Sequence, residues 1–348
     1  MLFRSAVLAD APATKNEFPY KKILIAVLVV VAVIACALLV VNAMVDSYGQ
    51  KLNNGVSVEN AKVDEKKLVD EYYSAEDLNK YDFLQVLSNK VYENYLYQSA
   101  NVKTNGEGVL NFILTVNDAE INYDNPKNQL AVVMLLSIKE GKATFVRMNS
   151  TTAVAIPGAK VAPLYDAYRF GGTALLAKTV QENYGIEING YVDMKFDAFM
   201  KAIKEIGGLQ IVEGQNTYVF EDKASLFAFV NQDPEKTQQR ADAVVKALRT
   251  NVTSMKVFDL RKALNAASAD NGIVASISDE DFGNLLSVGT KMFATGEASA
   301  ELASFGMAKE SSGVDSYWGY EDCKFINCTE LNDYAKSIKA LQTLIYGE

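Results

Sequence analysis

The chain has 348 residues, with 34 Lys and Arg against 43 Asp and Glu, three cysteines and no histidine. Lack of imidazole excludes Ser-His-Asp and Cys-His nucleophile systems and any metal site built on histidine. Carboxylate-held Mg2+ or Ca2+ stays open. A net charge of −9 argues against nucleic acid as a partner.

Nineteen consecutive uncharged residues, Ile23–Val41, follow directly on Lys21-Lys22. At a rise of about 1.5 Å per residue this run makes a helix of ~28 Å, close to the ~30 Å hydrocarbon core of a bilayer. A secretory signal peptide is the rival reading, but its apolar region is usually about 7–15 residues. The expectation is therefore an uncleaved transmembrane helix over residues 23–45. Residues 1–22 carry Arg4, Lys15, Lys21 and Lys22 against Asp10 and Glu17. The positive-inside rule makes this tail cytoplasmic and everything from residue 46 extracytoplasmic, in a single-pass plasma-membrane protein.

Residues 46–107 read as a Tyr-rich, membrane-proximal helical region. Ser74 and Asp77 suggest a helix start, and Leu84, Leu87, Val91 and Tyr95 recur at helical spacing. Asn105-Gly-Glu-Gly108 marks a boundary to a larger domain over 108–348. Strands are predicted at Val109–Val116, Leu130–Ile138 and Ala143–Met148, the last two joined through a turn at Lys139–Lys142. The Leu130–Ile138 run is apolar on both faces, as for a strand covered by helices on each side.

Beyond Gly171-Gly172, helix and strand alternate. Helices are predicted at Ala174–Tyr184, Phe196–Ile206, Asp222–Val230 and from Glu235 to about Asn251. Strands are predicted at Tyr191–Lys195 and Leu209–Val212. Such alternation predicts an α/β fold, a three-layer α/β/α sandwich behind the transmembrane helix. The tail adds a helix, a strand near Leu302–Ala308, a loop with Cys323 and Cys328, and a final helix from Thr329. An extracytoplasmic setting makes Cys323–Cys328 a candidate disulfide, with a pair of reduced thiols the alternative. Beyond the apolar run only five arginines remain: Arg147, Arg169, Arg240, Arg249 and Arg261. Any bidentate phosphate clamp must draw on them.

Over roughly residues 108–345 the order of segments resembles the LytR-CpsA-Psr family. The strongest match is Glu182-Asn-Tyr-Gly-Ile-Glu-Ile-Asn-Gly-Tyr-Val-Asp-Met-Lys-Phe-Asp-Ala-Phe199, continuing to Glu205-Ile-Gly-Gly-Leu-Gln-Ile211. Tyr165-Asp-Ala-Tyr-Arg-Phe-Gly-Gly172 matches a further segment, and Asn111–Asp118 matches the opening strand with its aspartate. The resemblance implies a membrane-anchored extracytoplasmic protein that transfers glycopolymers from polyprenyl-pyrophosphate carriers to peptidoglycan. Its partners would be a polyprenyl-phosphate lipid or lipid-linked glycan, the membrane and wall-assembly proteins.

The family holds a divalent metal with two aspartates and grips the pyrophosphate with arginines. By resemblance Asp118 is the first metal ligand and a substrate-binding residue, with Mg2+ the implied cofactor, while the second aspartate falls at Ala131. The key arginine and its neighbouring aspartate fall at Ser150 and Thr151, unless an insertion brings Arg147 into the arginine place. Asn231, Asp233 and Thr237 stand at three more arginine positions, and Arg240 matches the next. Arg147 and Arg240 are thus the candidate catalytic residues; Arg169 and Tyr168 are further substrate-binding candidates. With most cationic positions replaced, the reading is a lipid-binding member with weak or no catalysis. An active phosphotransferase using Asp118, Arg147, Arg169 and Arg240 is the alternative.

Overall fold

A computed structural model of the chain describes residues 54–68, 82–106, 108–118, 130–140, 142–254, 257–278, 281, 300–305, 314–321, 324–331 and 333–347. The predicted transmembrane helix lies outside these residues. None of the described helices is long and apolar enough to cross a membrane.

A six-stranded mixed sheet organises the body. It is built from β1 (Val109–Asn117), β2 (Leu130–Lys139), β3 (Lys142–Met148), β6 (Gly190–Lys195), β9 (Ile273–Ile277) and β10 (Ala300–Phe305), in the order β10-β3-β2-β1-β6-β9. β1 pairs antiparallel with β2 and parallel with β6. β3 pairs antiparallel with β2 and parallel with β10. The carboxyl ends of β1, β3, β6 and β10 therefore emerge at one edge of the sheet. Two-stranded pairs lie outside it: β4 (Ala153–Ala155) with β5 (Val161–Pro163), β7 (Leu209–Glu213) with β8 (Asn216–Phe220), and β11 (Val314–Glu321) with β12 (Lys324–Leu331).

Alternation along the strands separates two cores. Leu110, Phe112, Leu114 and Val116 of β1 and Val132, Met134, Leu136 and Ile138 of β2 face the first. Helices α4 (Phe196–Glu205), α5 (Lys223–Asn231), α6 (Thr237–Ser254) and α7 (Val257–Ser268) cover that face together with the β7–β8 hairpin. Ile113 of β1 and Val133 and Leu135 of β2 face the second core. There they meet α3 (Leu164–Tyr184), α8 (Tyr334–Tyr346) and the β4–β5 pair. The double-faced apolar run at 130–138 thus does what its composition predicts, lying between two helical layers.

Two elements ahead of the expected domain boundary also belong to this body. Helix α2 (Asp82–Ala100) buries Val91 in the second core, and Tyr95 donates a hydrogen bond to Glu182 of α3 at 2.8 Å. The extended stretch 54–64 crosses the same face, burying Val58 and Ala61. Its Gly55 N–H donates to the Ala275 carbonyl, and its Val56 carbonyl accepts from the Tyr191 hydroxyl. A short helix, α1 (Glu65–Leu68), follows the stretch. Residues 54–64 are therefore a strap on the core, where a helical spacer was expected.

The tail differs as well. Residues 324–331 pair with β11, with Cys328 in register with Tyr317. The last helix accordingly begins at Tyr334, capped by the Asp333 carboxylate, which accepts from the Lys336 N–H at 2.9 Å. Cys323 and the Cys328 side chain lie outside the described residues, so the pairing of the two thiols does too.

Candidate functional site

The carboxyl edge of β1 and β6 gathers the polar side chains that the two cores exclude. In open α/β sheets ligands bind outside the carboxyl ends of parallel strands, so this edge is where chemistry is expected. Two carboxylates occupy it, one on each side of the sheet.

Asp193 on β6 stands in register with Thr115 of β1. It shares the sheet face of Tyr191 and is partly buried. Its Oδ1 accepts from Thr115 Oγ1 at 2.6 Å and from Asn117 Nδ2 at 3.1 Å. Oδ2 accepts from the Tyr168 hydroxyl at 3.1 Å and again from Asn117 at 3.2 Å. Thr173 adds a further side-chain hydrogen bond and lies 3.2 Å from Thr115 through its hydroxyl. Burial raises the Asp193 carboxyl above its ordinary range, and these donors pull it part of the way back. Tyr168 is raised well beyond the usual phenol range, first by burial and then by the charge of Asp193, and so remains a donor.

Local sequence explains how Thr173 reaches this carboxylate. Gly171 and Gly172 leave helical geometry inside α3, with φ 67° and ψ −166° at Gly172. That region of backbone space is essentially reserved for glycine. The break ends one helical segment and starts another at Thr173, whose first turn faces the sheet edge. A helix N-terminus favours a nearby negative charge, which Asp193 supplies.

Asp118 follows β1 directly, is 7% exposed and turns toward the other layer. Lys223, the first residue of α5, donates its Nζ to both Asp118 oxygens at 3.0 Å. Asp197, in the first turn of α4, lies 3.9 Å from the same ammonium. The cation here is thus a lysine, held between two carboxylates. A Mg2+ ion demands near-octahedral oxygen ligation at about 2.0–2.1 Å. The donor set does not fit it: both Asp118 oxygens face an ammonium, and Ala131 stands where the family pattern has its second aspartate. Among the described residues no group of three or more Asp, Glu, Cys or His side chains could hold a metal.

The sequence-predicted residues do not share one cluster. Tyr168 joins Asp193, and Asp118 joins Lys223. Arg169 pairs with Asp166 at 3.2 Å and lies over the Phe170 ring at 4.6 Å. Arg240 on α6 is 7% exposed and grips Glu213 at 2.9 Å and 3.0 Å, also donating to the Phe229 carbonyl at 2.8 Å. Arg147 sits on β3 in register with Met134 and Ser304, half-buried on the first-core side of the sheet. Three of the described cations, Lys223, Arg169 and Arg240, are each matched by a carboxylate.

Two of these residues escaped the sequence reading. Lys223 carries a signal: a cation at the first position of a helix works against the macrodipole, so it needs a negative partner. Asp193 carries another, as the one charge within the otherwise apolar Gly190–Met194 stretch.

The fold and this edge define a mixed α/β domain whose polar site sits at a parallel strand pair, with paired rather than surplus cations. The sequence model of the LytR_cpsA_psr family matches residues 81–232. Over that span, under half of the chain, the sequence is similar to the LytR-CpsA-Psr family and divergent from it. The match begins near the start of α2, so the packed helix lies within the matched span. A curated relative is the polyisoprenyl-teichoic acid–peptidoglycan teichoic acid transferase TagU of Enterococcus faecalis (strain ATCC 700802 / V583), 25% identical over 162 residues. That match takes in 42% of this chain and 54% of the relative, so the chain spans about half the length of TagU. Among solved structures, TagV of B. subtilis gives a TM-score of 0.46 at 14% identity, covering 70% of this chain and 99% of that one. TagT bound to LIIa-WTA gives 0.46 at 16% identity, covering 84% and 100%.

Proposed function

We propose that this chain is a membrane-anchored, extracytoplasmic protein of bacterial envelope assembly that binds a polyprenyl-phosphate lipid or lipid-linked glycan and transfers it weakly or not at all. The family match and the polyisoprenyl-teichoic acid in the name of the curated relative support the ligand class. The apolar run Ile23–Val41 and its basic flank support the anchor and its orientation.

The observation that carries the weak catalysis is the engagement of Arg240. Phosphoryl transfer depends on cations aimed at the transferring group, and losing one such donor typically costs about 10²–10³ in rate. Arg240 matches a family arginine, yet three of its nitrogens are hydrogen-bonded to Glu213 and the Phe229 carbonyl. Asp118, the remaining family aspartate, has both oxygens on Lys223. A doubly charged pyrophosphate would meet two cations there that already have carboxylate partners.

Organic extraction of the full chain, purified in detergent from envelope membranes, followed by mass spectrometry, tests the binding half. Polyprenyl phosphates or their glycan conjugates should co-purify at near-stoichiometric levels. A protein that comes out dry would remove the ligand from this account. A wall-assembly protein captured in place of lipid would move the function to scaffolding.

A further inference from the structure

The Asp118–Lys223 pair has a consequence for the metal that the family resemblance implies. We propose that the Lys223 ammonium holds the place of the divalent cation at Asp118, so that this site takes no metal ion.

Three features of the structure bear on this. Asp118 is 7% exposed and the Lys223 side chain 14%, so the pair is shielded from water that would otherwise separate it. The ammonium nitrogen lies 3.0 Å from each Asp118 oxygen, a forked arrangement centred where a bidentate metal would stand. Asp197 lies 3.9 Å from the same nitrogen, so a second carboxylate also faces the lysine charge. A divalent ion placed against Asp118 would have to displace a buried ammonium or sit beside it. Two cations within about 4 Å in a partly buried site repel by several kcal/mol at an effective dielectric near 20.

The helix start explains why the lysine stays. At the first position of α5 the Lys223 charge opposes the helix dipole, while Asp222 caps the same helix by accepting from the Ser225 N–H at 2.8 Å. Leaving Lys223 without Asp118 would strand a cation at the positive end of a helix. The two residues therefore hold each other in place. Chemically, an ammonium brings one charge and N–H donors where Mg2+ brings two charges and water ligands. The edge keeps a cation but loses the stronger Lewis acid.

This inference concerns the metal alone and is tested without any lipid, so its outcome is separable from that of the proposed ligand. The full chain in detergent is titrated with Mn2+, a surrogate for Mg2+, and the free-ion signal is read by electron paramagnetic resonance. Wild type and Asp118→Asn should give superimposable curves, with no equivalent of Mn2+ whose uptake depends on Asp118. Uptake of one equivalent by wild type that Asp118→Asn lacks would overturn the proposal. Uptake shared by both proteins would place a metal elsewhere and leave Asp118 as described. Should Asp118→Asn not fold, paramagnetic broadening in wild type locates the ion: broadening centred on residues 115–118 and 223 overturns the proposal, and broadening elsewhere or none supports it.

Discussion

Arg240 and Glu213 meet through two parallel hydrogen bonds, Nε to Oε1 at 2.9 Å and Nη2 to Oε2 at 3.0 Å, which tie helix α6 to the end of β7. The Arg240 guanidinium also lies 4.4 Å from the centre of the Phe229 ring and donates to the Phe229 carbonyl at the end of α5. One side chain thus joins three elements of the layer covering the first core. This is the geometry of a structural clamp.

If Arg240 is a clamp, Arg240→Gln lowers the melting temperature by a few degrees and leaves lipid content unchanged. The pH dependence has a definite sign. Hydrogen bonding and the charge of Arg240 hold the Glu213 carboxyl below its ordinary 4.5. A depressed carboxylate contributes stability above its unfolded value and loses it as pH falls through the folded one. The gap in melting temperature between wild type and Arg240→Gln should therefore be full near neutral pH and narrow as pH falls below the ordinary 4.5. Differential scanning calorimetry across that range checks it, and a gap independent of pH would contradict the pairing.

Asp193 gives the opposite sign. Burial raises its folded value above the ordinary 3.8, so the folded protein binds more protons than the unfolded chain in the window between them. Its contribution to stability therefore falls as pH rises from about 4 upward. Tyr168→Phe removes one donor to the carboxylate and should cost about 1–3 kcal/mol near neutral pH. The cost should shrink as pH falls through the raised folded value, where the folded carboxyl takes up its proton. Urea unfolding at several pH values reads both effects.

Gly172 carries a prediction free of packing effects, because a Cβ there would meet no heavy atom within 4 Å. Its φ of 67° and ψ of −166° alone should make Gly172→Ala cost roughly 1–3 kcal/mol. Gly171→Ala fails for a different reason, since its Cβ would stand 2.5 Å from the Leu175 Cβ and 2.8 Å from the Lys62 carbonyl. Chemical denaturation should rank both variants below wild type. Gly171→Ala should additionally loosen the 54–64 strap, seen as faster amide exchange at Asp64, whose N–H donates to the Phe170 carbonyl at 2.8 Å.

Truncation tests the strap and α2 together. A fragment starting at residue 108 would uncover the second core where Val58, Ala61 and Val91 pack. It should aggregate or melt well below a fragment starting at residue 54. Equal thermal stability of the two fragments would show that these segments add nothing to the body.

The sheet was legible where composition alone decides. β1, β2 and β3 fall within a residue of their predicted limits because their apolar runs end at turn residues. Gly185 caps α3 in left-handed geometry, φ 62°, as a glycine after an amphipathic helix predicts. β8 was missed because its inward face is only Tyr218 and Phe220, too short an alternation to read as a strand, while Asn216, Thr217 and Val219 are exposed. The strap at 54–64 was missed because its partners, Phe170, Tyr191 and Ala275, lie more than a hundred residues away. The site was less legible for the same reason. Asp118 could be placed from its strand, but Lys223 is 105 residues distant and only the folded chain shows them paired. Resemblance pointed to Arg240 by position, and the position held a clamp.

The central claim is a family frame that retains its ligand while its cations are spent on internal partners. Its most direct test is a single-turnover experiment on the full chain in detergent, with a labelled polyprenyl-pyrophosphate-linked glycan, peptidoglycan acceptor and Mg2+. The account predicts that the donor co-elutes with the protein intact, and that the label reaches the acceptor no faster than without protein or at a small residual rate. Rapid, Mg2+-dependent transfer of the glycan to peptidoglycan would contradict it.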